Sequence, residues 1–130
     1  MYLVFKNDSL DAQYPGPTPV VETFAVPLTI ISISVLVDLN VRLEKDVSVD
    51  NVNDAVRAAA DSGPLQHVLQ YSTLPVVSTD IIGNPHSSIF DAPFTRVVEG
   101  NFVKTLNWYD NEWGYSNRVA DLLGVLHGLD

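Results

Sequence analysis

Cysteine is absent from all 130 residues. That excludes a disulfide, a thiolate metal site and a thiol nucleophile. Basic residues are scarce: 7 Lys and Arg stand against 16 Asp and Glu, giving a net charge of −9. Nucleic-acid binding is not expected, because phosphate contacts need clustered Lys and Arg. An acidic membrane surface would repel the chain, and the bland role of such a charge is solubility. No long hydrophobic run is present. The longest apolar stretch, residues 26–37, is interrupted by Pro27, Thr29, Ser32 and Ser34 and is too short to cross a bilayer. Residues 1–6 place the charge of Lys6 after a short apolar stretch, which does not suit a signal peptide. The cytoplasm is the expected location. The seven glycines form no Gly-x-Gly-x-x-Gly pattern, so a dinucleotide-binding fingerprint is missing.

What is there suffices for one domain. The hydrophobic fraction, 46%, is ordinary for a globule. Residues 1–23 stand apart. Their Tyr14-Pro15-Gly16-Pro17-Thr18-Pro19 run favours extended, solvated backbone and predicts a disordered or loosely packed arm ahead of a domain over 24–130. From residue 31 to 43 the odd positions are all Ile, Val or Leu, and only Leu36 breaks the polar series between them. This is a long period-2 strand with one buried face. A helix follows, with Ser48 as N-cap, Val49, Val52, Val56 and Ala59 on one face, and Gly63-Pro64 at its end. Strands are expected at 68–72, 75–78, 87–91, 94–98 and 102–110, the last two joined by a turn at Glu99-Gly100-Asn101. A final helix over about 112–126 carries Val119, Leu122, Leu123 and Leu126 as its buried stripe. The fold class is α+β, an antiparallel or mixed sheet with two main helices.

Residues 108–118 read Trp-Tyr-Asp-Asn-Glu-Trp-Gly-Tyr-Ser-Asn-Arg and contain both tryptophans of the chain. Upstream stands Ser78-Thr79-Asp80-Ile81-Ile82-Gly83-Asn84-Pro85-His86-Ser87-Ser88-Ile89-Phe90-Asp91-Ala92. The two segments, in this order and at this spacing, resemble the C-terminal catalytic domain of phosphorylating glyceraldehyde-3-phosphate dehydrogenases. Erythrose-4-phosphate dehydrogenase belongs to the same family. The resemblance runs from about Val35 to the C-terminus, roughly three-quarters of the chain. Before residue 24 it is lost.

The resemblance implies a sheet-rich domain whose last helix lies against a dinucleotide domain, and tetramers built partly through the sheet. It implies a glycolytic oxidation of an aldehyde to an acyl phosphate, through a cysteine thiohemiacetal and with NAD or NADP as cofactor. Asn111 and Tyr115 match the family residues beside the nicotinamide ring, and are the candidate cofactor-binding residues. An amide can bond the nicotinamide carboxamide and an aromatic ring can keep the site dry. As plain structure, Asn111 would instead cap the last helix and Tyr115 would pack on the sheet. The family's cysteine and catalytic histidine have no counterpart here. Its phosphate-binding arginine, in Arg-Val-Pro-Thr, is replaced by Phe24-Ala25-Val26-Pro27-Leu28-Thr29. One residue is in excess near Val37, which requires a bulge or a changed register.

His67 reads as exposed, His127 falls in the last helical turn, where a cation suits the dipole, and His86 falls in the matched motif without being the family's base. Asp80 and Asp91 read as carboxylates that bond backbone N–H groups. Neither a metal site nor a catalytic residue is expected, and Ser87 and Ser88 lack a nucleophile elbow. The chain alone is expected to bind no cofactor, to be inactive, and to self-associate or pair with full-length subunits. A non-catalytic interaction module, or a truncated gene product without a role, are the alternatives.

Overall fold

A computed structural model describes residues 24–28 and 34–128. The expected arm at 1–23 lies outside the described residues. Six strands form one sheet in the order β1-β2-β6-β4-β3, with β5 on β6 as a short flank. They are β1 (Phe24–Leu28), β2 (Ser34–Arg42), β3 (Leu69–Ser72), β4 (Ser88–Asp91), β5 (Arg96–Val98) and β6 (Phe102–Asp110). Among the described residues two helices, α1 (Val49–Asp61) and α2 (Asn111–His127), complete the α+β fold. The sheet is mixed, because β3 and β4 run parallel while the other pairs are antiparallel.

Strand β2 pairs without a break with β6, from Ser34 opposite Asp110 to Arg42 opposite Phe102. The face expected to be buried is only half-covered, however, with Val35, Val37, Leu39 and Val41 all intermediate in exposure. No bulge interrupts the described part of β2, and β1 pairs with it in equally continuous register. Paired residues share a face, so Val35, Val37, Leu39 and Val41 lie beside Tyr109, Asn107, Thr105 and Val103. Leu36 is explained by its register. It sits opposite Trp108, which in turn faces Ile89, so an apolar row crosses three strands on the face where β2 is otherwise polar.

The β5–β6 hairpin turns at Glu99 and Gly100, both left-handed with φ of 53° and 79°. A Cβ on Gly100 would lie 2.9 Å from Asp46 Oδ1. Glycine therefore allows the β2–α1 connection to close onto this turn, where Val47 N donates to Gly100 O at 2.7 Å. Helix α1 then starts as its sequence predicts: Ser48 Oγ accepts from Asn51 N, and Asn51 Oδ1 accepts from Ser48 N. Its inner face sets Ala60 in the core and half-buries Val52, Val56 and Ala59. Arg57 lies 4.8 Å from the centre of the Tyr71 ring, which stacks on Phe90. Ala60 joins Ile81, Ile89, Phe90, Ala92 and Val103 in the buried apolar centre.

Parallel strands need a long crossover, and residues 73–87 supply it. The strand expected at 75–78 is absent there. A 3-10 turn, Ser78–Ile81, takes its place, because Asp80 Oδ2 accepts from Val77 N at 2.9 Å. Ser-Thr-Asp side chains here offer the backbone local bonds that compete with a ladder. Likewise Phe94, expected in a strand, belongs to the 3-10 turn Ala92–Phe94, and β5 begins only at Arg96.

The larger correction concerns α2. Its stripe is not buried: Val119, Leu122, Leu123 and Leu126 are 39%, 57%, 54% and 71% exposed. Gly114 alone is fully buried on this helix. Periodicity reveals an apolar face but not what covers it, and α2 leaves the end of β6 with only its first turns against the domain.

Candidate functional site

The site is built where β6 hands over to α2. Asp110 ends the strand and caps the helix: its Oδ1 accepts from Glu112 N at 3.0 Å and Trp113 N at 2.8 Å. Its Oδ2 accepts from Gly83 N at 2.9 Å, tying the crossover to the helix start. The side chain is 2% exposed. Burial opposes its charge, yet the three N–H donors from Trp113, Gly83 and Glu112 outweigh burial and hold the carboxyl below its usual range. A shallow cavity of about 320 Å³ opens here, lined by Ile82, Gly83, Asp110, Glu112, Trp113 and Ser116.

Two further residues on the same helical side, four and eight after Asp110, complete the docking of α2. Gly114 lets the helix close on the crossover, because a Cβ there would lie 3.1 Å from His86 O. Arg118 Nη1 donates to His67 O at 3.1 Å and to Ser87 Oγ at 3.5 Å, while its Nε pairs with Asp121 Oδ2 at 2.8 Å. Asp110, Gly114 and Arg118 therefore fix the rotation of α2 about its axis.

That rotation leaves Asn111 and Tyr115 exposed, one turn apart, on a neighbouring face. Asn111 is not the cap, since Asp110 holds that position. Tyr115 does not pack on the sheet, being 72% exposed. Leu122 and Leu126 continue the same face down the helix, and Val119 borders it. Asp110 was not among the residues singled out from the sequence, although an Asp immediately before an amphipathic run is itself a helix-start signal.

The other candidates scatter. His67 and His127 are exposed, and His127 Nδ1 lies 3.1 Å from Leu123 O. His86 is half-buried on the crossover, and its pKa is lowered by burial first and then by the neighbouring Arg118 and His67. Asp80 bonds a backbone N–H as expected. Asp91 does not: it is wholly buried on β4, and its Oδ2 accepts from Trp108 Nε1 at 2.9 Å. Among the described residues no group of three or more His, Asp or Glu is gathered for a metal. No helix there is long and apolar enough to cross a membrane.

Residues 14–111 match the family model for the glyceraldehyde 3-phosphate dehydrogenase C-terminal domain. The chain belongs to that family. The match begins upstream of Val35, so the resemblance reaches further towards the N-terminus than the two motifs alone suggest. Glyceraldehyde-3-phosphate dehydrogenase 1 of Caenorhabditis elegans is 52% identical over 103 residues, covering 79% of this chain and 29% of the relative. The glyceraldehyde-3-phosphate dehydrogenase of Kitasatospora aureofaciens is 53% identical over 124 residues, 95% of this chain and 34% of the relative. That of Mycolicibacterium smegmatis is 51% identical over 89 residues, 68% and 26% respectively. The chain spans about a third or less of the length of these curated relatives.

Proposed function

We propose that this chain supplies the nicotinamide-facing part of a phosphorylating glyceraldehyde-3-phosphate dehydrogenase, with Asn111 and Tyr115 as its cofactor contacts. The observation that supports this reading is their joint exposure on a helix whose rotation is fixed by Asp110, Gly114 and Arg118. The amide of Asn111 can donate to and accept from a carboxamide, which fixes the ring face presented to substrate. The Tyr115 ring can wall that ring from water. When bound, NAD or NADP supplies the hydride acceptor for oxidation of the aldehyde to an acyl phosphate.

The residues present fit only the nicotinamide end. A helix N-terminus is an attractive place for a pyrophosphate. At α2, however, the N–H groups of Glu112 and Trp113 already serve the Asp110 carboxylate. A glycine-rich turn and a cysteine nucleophile are absent from these 130 residues. The chain alone therefore binds no cofactor and does not turn over. The complete enzyme acts in cytoplasmic glycolysis.

Calorimetry of the purified chain with NAD tests this reading. Dissociation weaker than ~1 mM is expected, corresponding to no more than about 4 kcal/mol of binding. No NADH should form from glyceraldehyde 3-phosphate and phosphate. Micromolar NAD binding, or turnover above buffer, would overturn the division of labour.

A second reading is supported by the uncovered leucines of α2. The chain then acts as a non-catalytic module that self-associates or pairs with full-length subunits through that face, since exposed contiguous apolar surface marks interaction sites.

A further inference from the structure

A second cleft, of about 410 Å³, lies between α1 and β3. Arg57 and Asp61 of α1, Gln70 and Tyr71 of β3, and His86 of the crossover are among the residues that line it. Neither Asn111 nor Tyr115 reaches it.

Its hydrogen bonds determine which atoms are left for a ligand. The backbone N–H of His86 donates to Asn84 Oδ1 at 3.0 Å, which identifies that atom as the oxygen. Asn84 Nδ2 must then be the donor to Gln70 Oε1 at 2.7 Å, and the Gln70 amide nitrogen keeps its two N–H groups. Asn84 Oδ1 can only accept, so imidazole Nδ1, 2.8 Å away, carries the proton. Nε2 of His86 thus presents a lone pair, with no partner among the described residues. Arg57 is set by Tyr71: its guanidinium lies over the ring, and Nη2 donates to the phenol oxygen at 3.2 Å. Further guanidinium N–H groups are left, because the Asp54 contact is a long 3.6 Å.

The charged groups around His86 are Arg57 and Asp61 from α1, His67 ahead of β3, and Arg118 from α2, itself paired with Asp121. Burial first, and then Arg118 and His67, lower its pKa from the ordinary imidazole value, which favours the neutral ring. A bare anion would meet the Nε2 lone pair with a lone pair of its own. A neutral donor would leave Arg57 unused. The free groups are complementary to a ligand that brings a negative oxygen and a hydrogen-bond donor together.

We propose that this cleft binds a small carboxylate bearing a hydroxyl or ammonium donor on the adjacent carbon, with the carboxylate on Arg57 and Gln70 and the donor on His86 Nε2. The site is separate from the nicotinamide face and does not depend on that assignment.

Titrations of ¹⁵N-labelled chain with L-lactate, L-alanine and propionate, read at His86 Nε2 and Arg57 Nε by NMR, test it. Propionate is lactate without its hydroxyl and alanine without its ammonium. At neutral pH, lactate or alanine should give saturable shifts at both nitrogens and bind about fivefold to tenfold more tightly than propionate, the value of one hydrogen bond. Arg57→Gln, at an exposed position, should weaken both by about tenfold or more, as loss of a charge-assisted bond does. His86→Phe should erase the advantage over propionate and spare propionate itself. Below the His86 pKa, Nε2 becomes a donor, so propionate should gain and alanine should lose its advantage, whereas the lactate hydroxyl can turn to accept. Alanine binding more tightly than lactate would assign the donor to an ammonium drawn by Asp61, and Asp61→Asn should then level the two. Equal affinities for all three acids at neutral pH, non-saturating shifts, or an Arg57→Gln variant that binds unchanged would overturn the proposal.

Discussion

The two helices of this domain carry similar signals and meet opposite fates. Each has an apolar face at helical spacing, and each is capped at its N-terminus by a side chain of the preceding residue. Helix α1 turns its face to β3 and the core. Helix α2 docks by a polar and glycine edge and leaves its leucines in water. What differs is the anchor. Ser48 is an exposed hydroxyl that caps only its own helix. Asp110 is a buried carboxylate that also holds Gly83. An amphipathic pattern therefore states that a face will be covered, and the contacts at the helix's first turns decide whether this chain covers it.

The sharpest way to break the comparison is at the anchors. Asp110→Ala leaves the N–H groups of Gly83, Glu112 and Trp113 without their acceptor. A lost cap together with buried unsatisfied donors should cost about 2–4 kcal/mol, read as a lower urea midpoint. Ser48→Ala removes an exposed cap alone and should cost about 1 kcal/mol. Equal losses at the two positions would show that burial of the Asp110 carboxylate adds nothing.

The same anchor predicts a pH dependence. The folded-state pKa of Asp110 is depressed, so its contribution is complete above the ordinary carboxyl pKa and is lost as pH falls through the lower folded value. Stability measured against pH should fall in that acidic window. Asp110→Asn should flatten the fall, and a wild-type curve unchanged by the substitution would place the acid sensitivity elsewhere.

Much of this was legible in the residues. The Ser48 cap, the reach of β6 over 102–110 and the α+β class follow from local chemistry, because caps, β-branched runs and turns act within a few residues. The motif at 108–118 carried the family. Pro75–Ser78 misled, since its apolar residues suit a strand while Asp80 bonds the backbone locally. Leu36 looked like a flaw in β2 and became part of a row with Trp108 and Ile89, which only the register reveals. At the site, Asn111 drew attention as a recognisable polar residue, whereas the cap is its neighbour Asp110. The exposure of α2 was not legible in its leucines alone, although the resemblance, which lays the last helix against a dinucleotide domain, left it open. A stripe of leucines reads the same whether it lies against its own sheet or awaits another surface.

The smallest expected effect on stability is the most telling about function. Leu122→Glu places a charge where the chain already exposes leucine to water, so stability should change by no more than about 0.5 kcal/mol. If α2 instead folds back on its own sheet in solution, the substitution buries an unpaired charge and costs several kcal/mol. Thermal melts separate these two outcomes, and sedimentation measures association directly. A stripe that recruits another copy should give wild-type self-association that Leu122→Glu weakens while the melt stays in place. A strictly monomeric wild type with an unperturbed variant would remove the self-associating module as a reading. The leucines would then be a surface for something other than a second copy, on the same side of α2 that carries Asn111 and Tyr115.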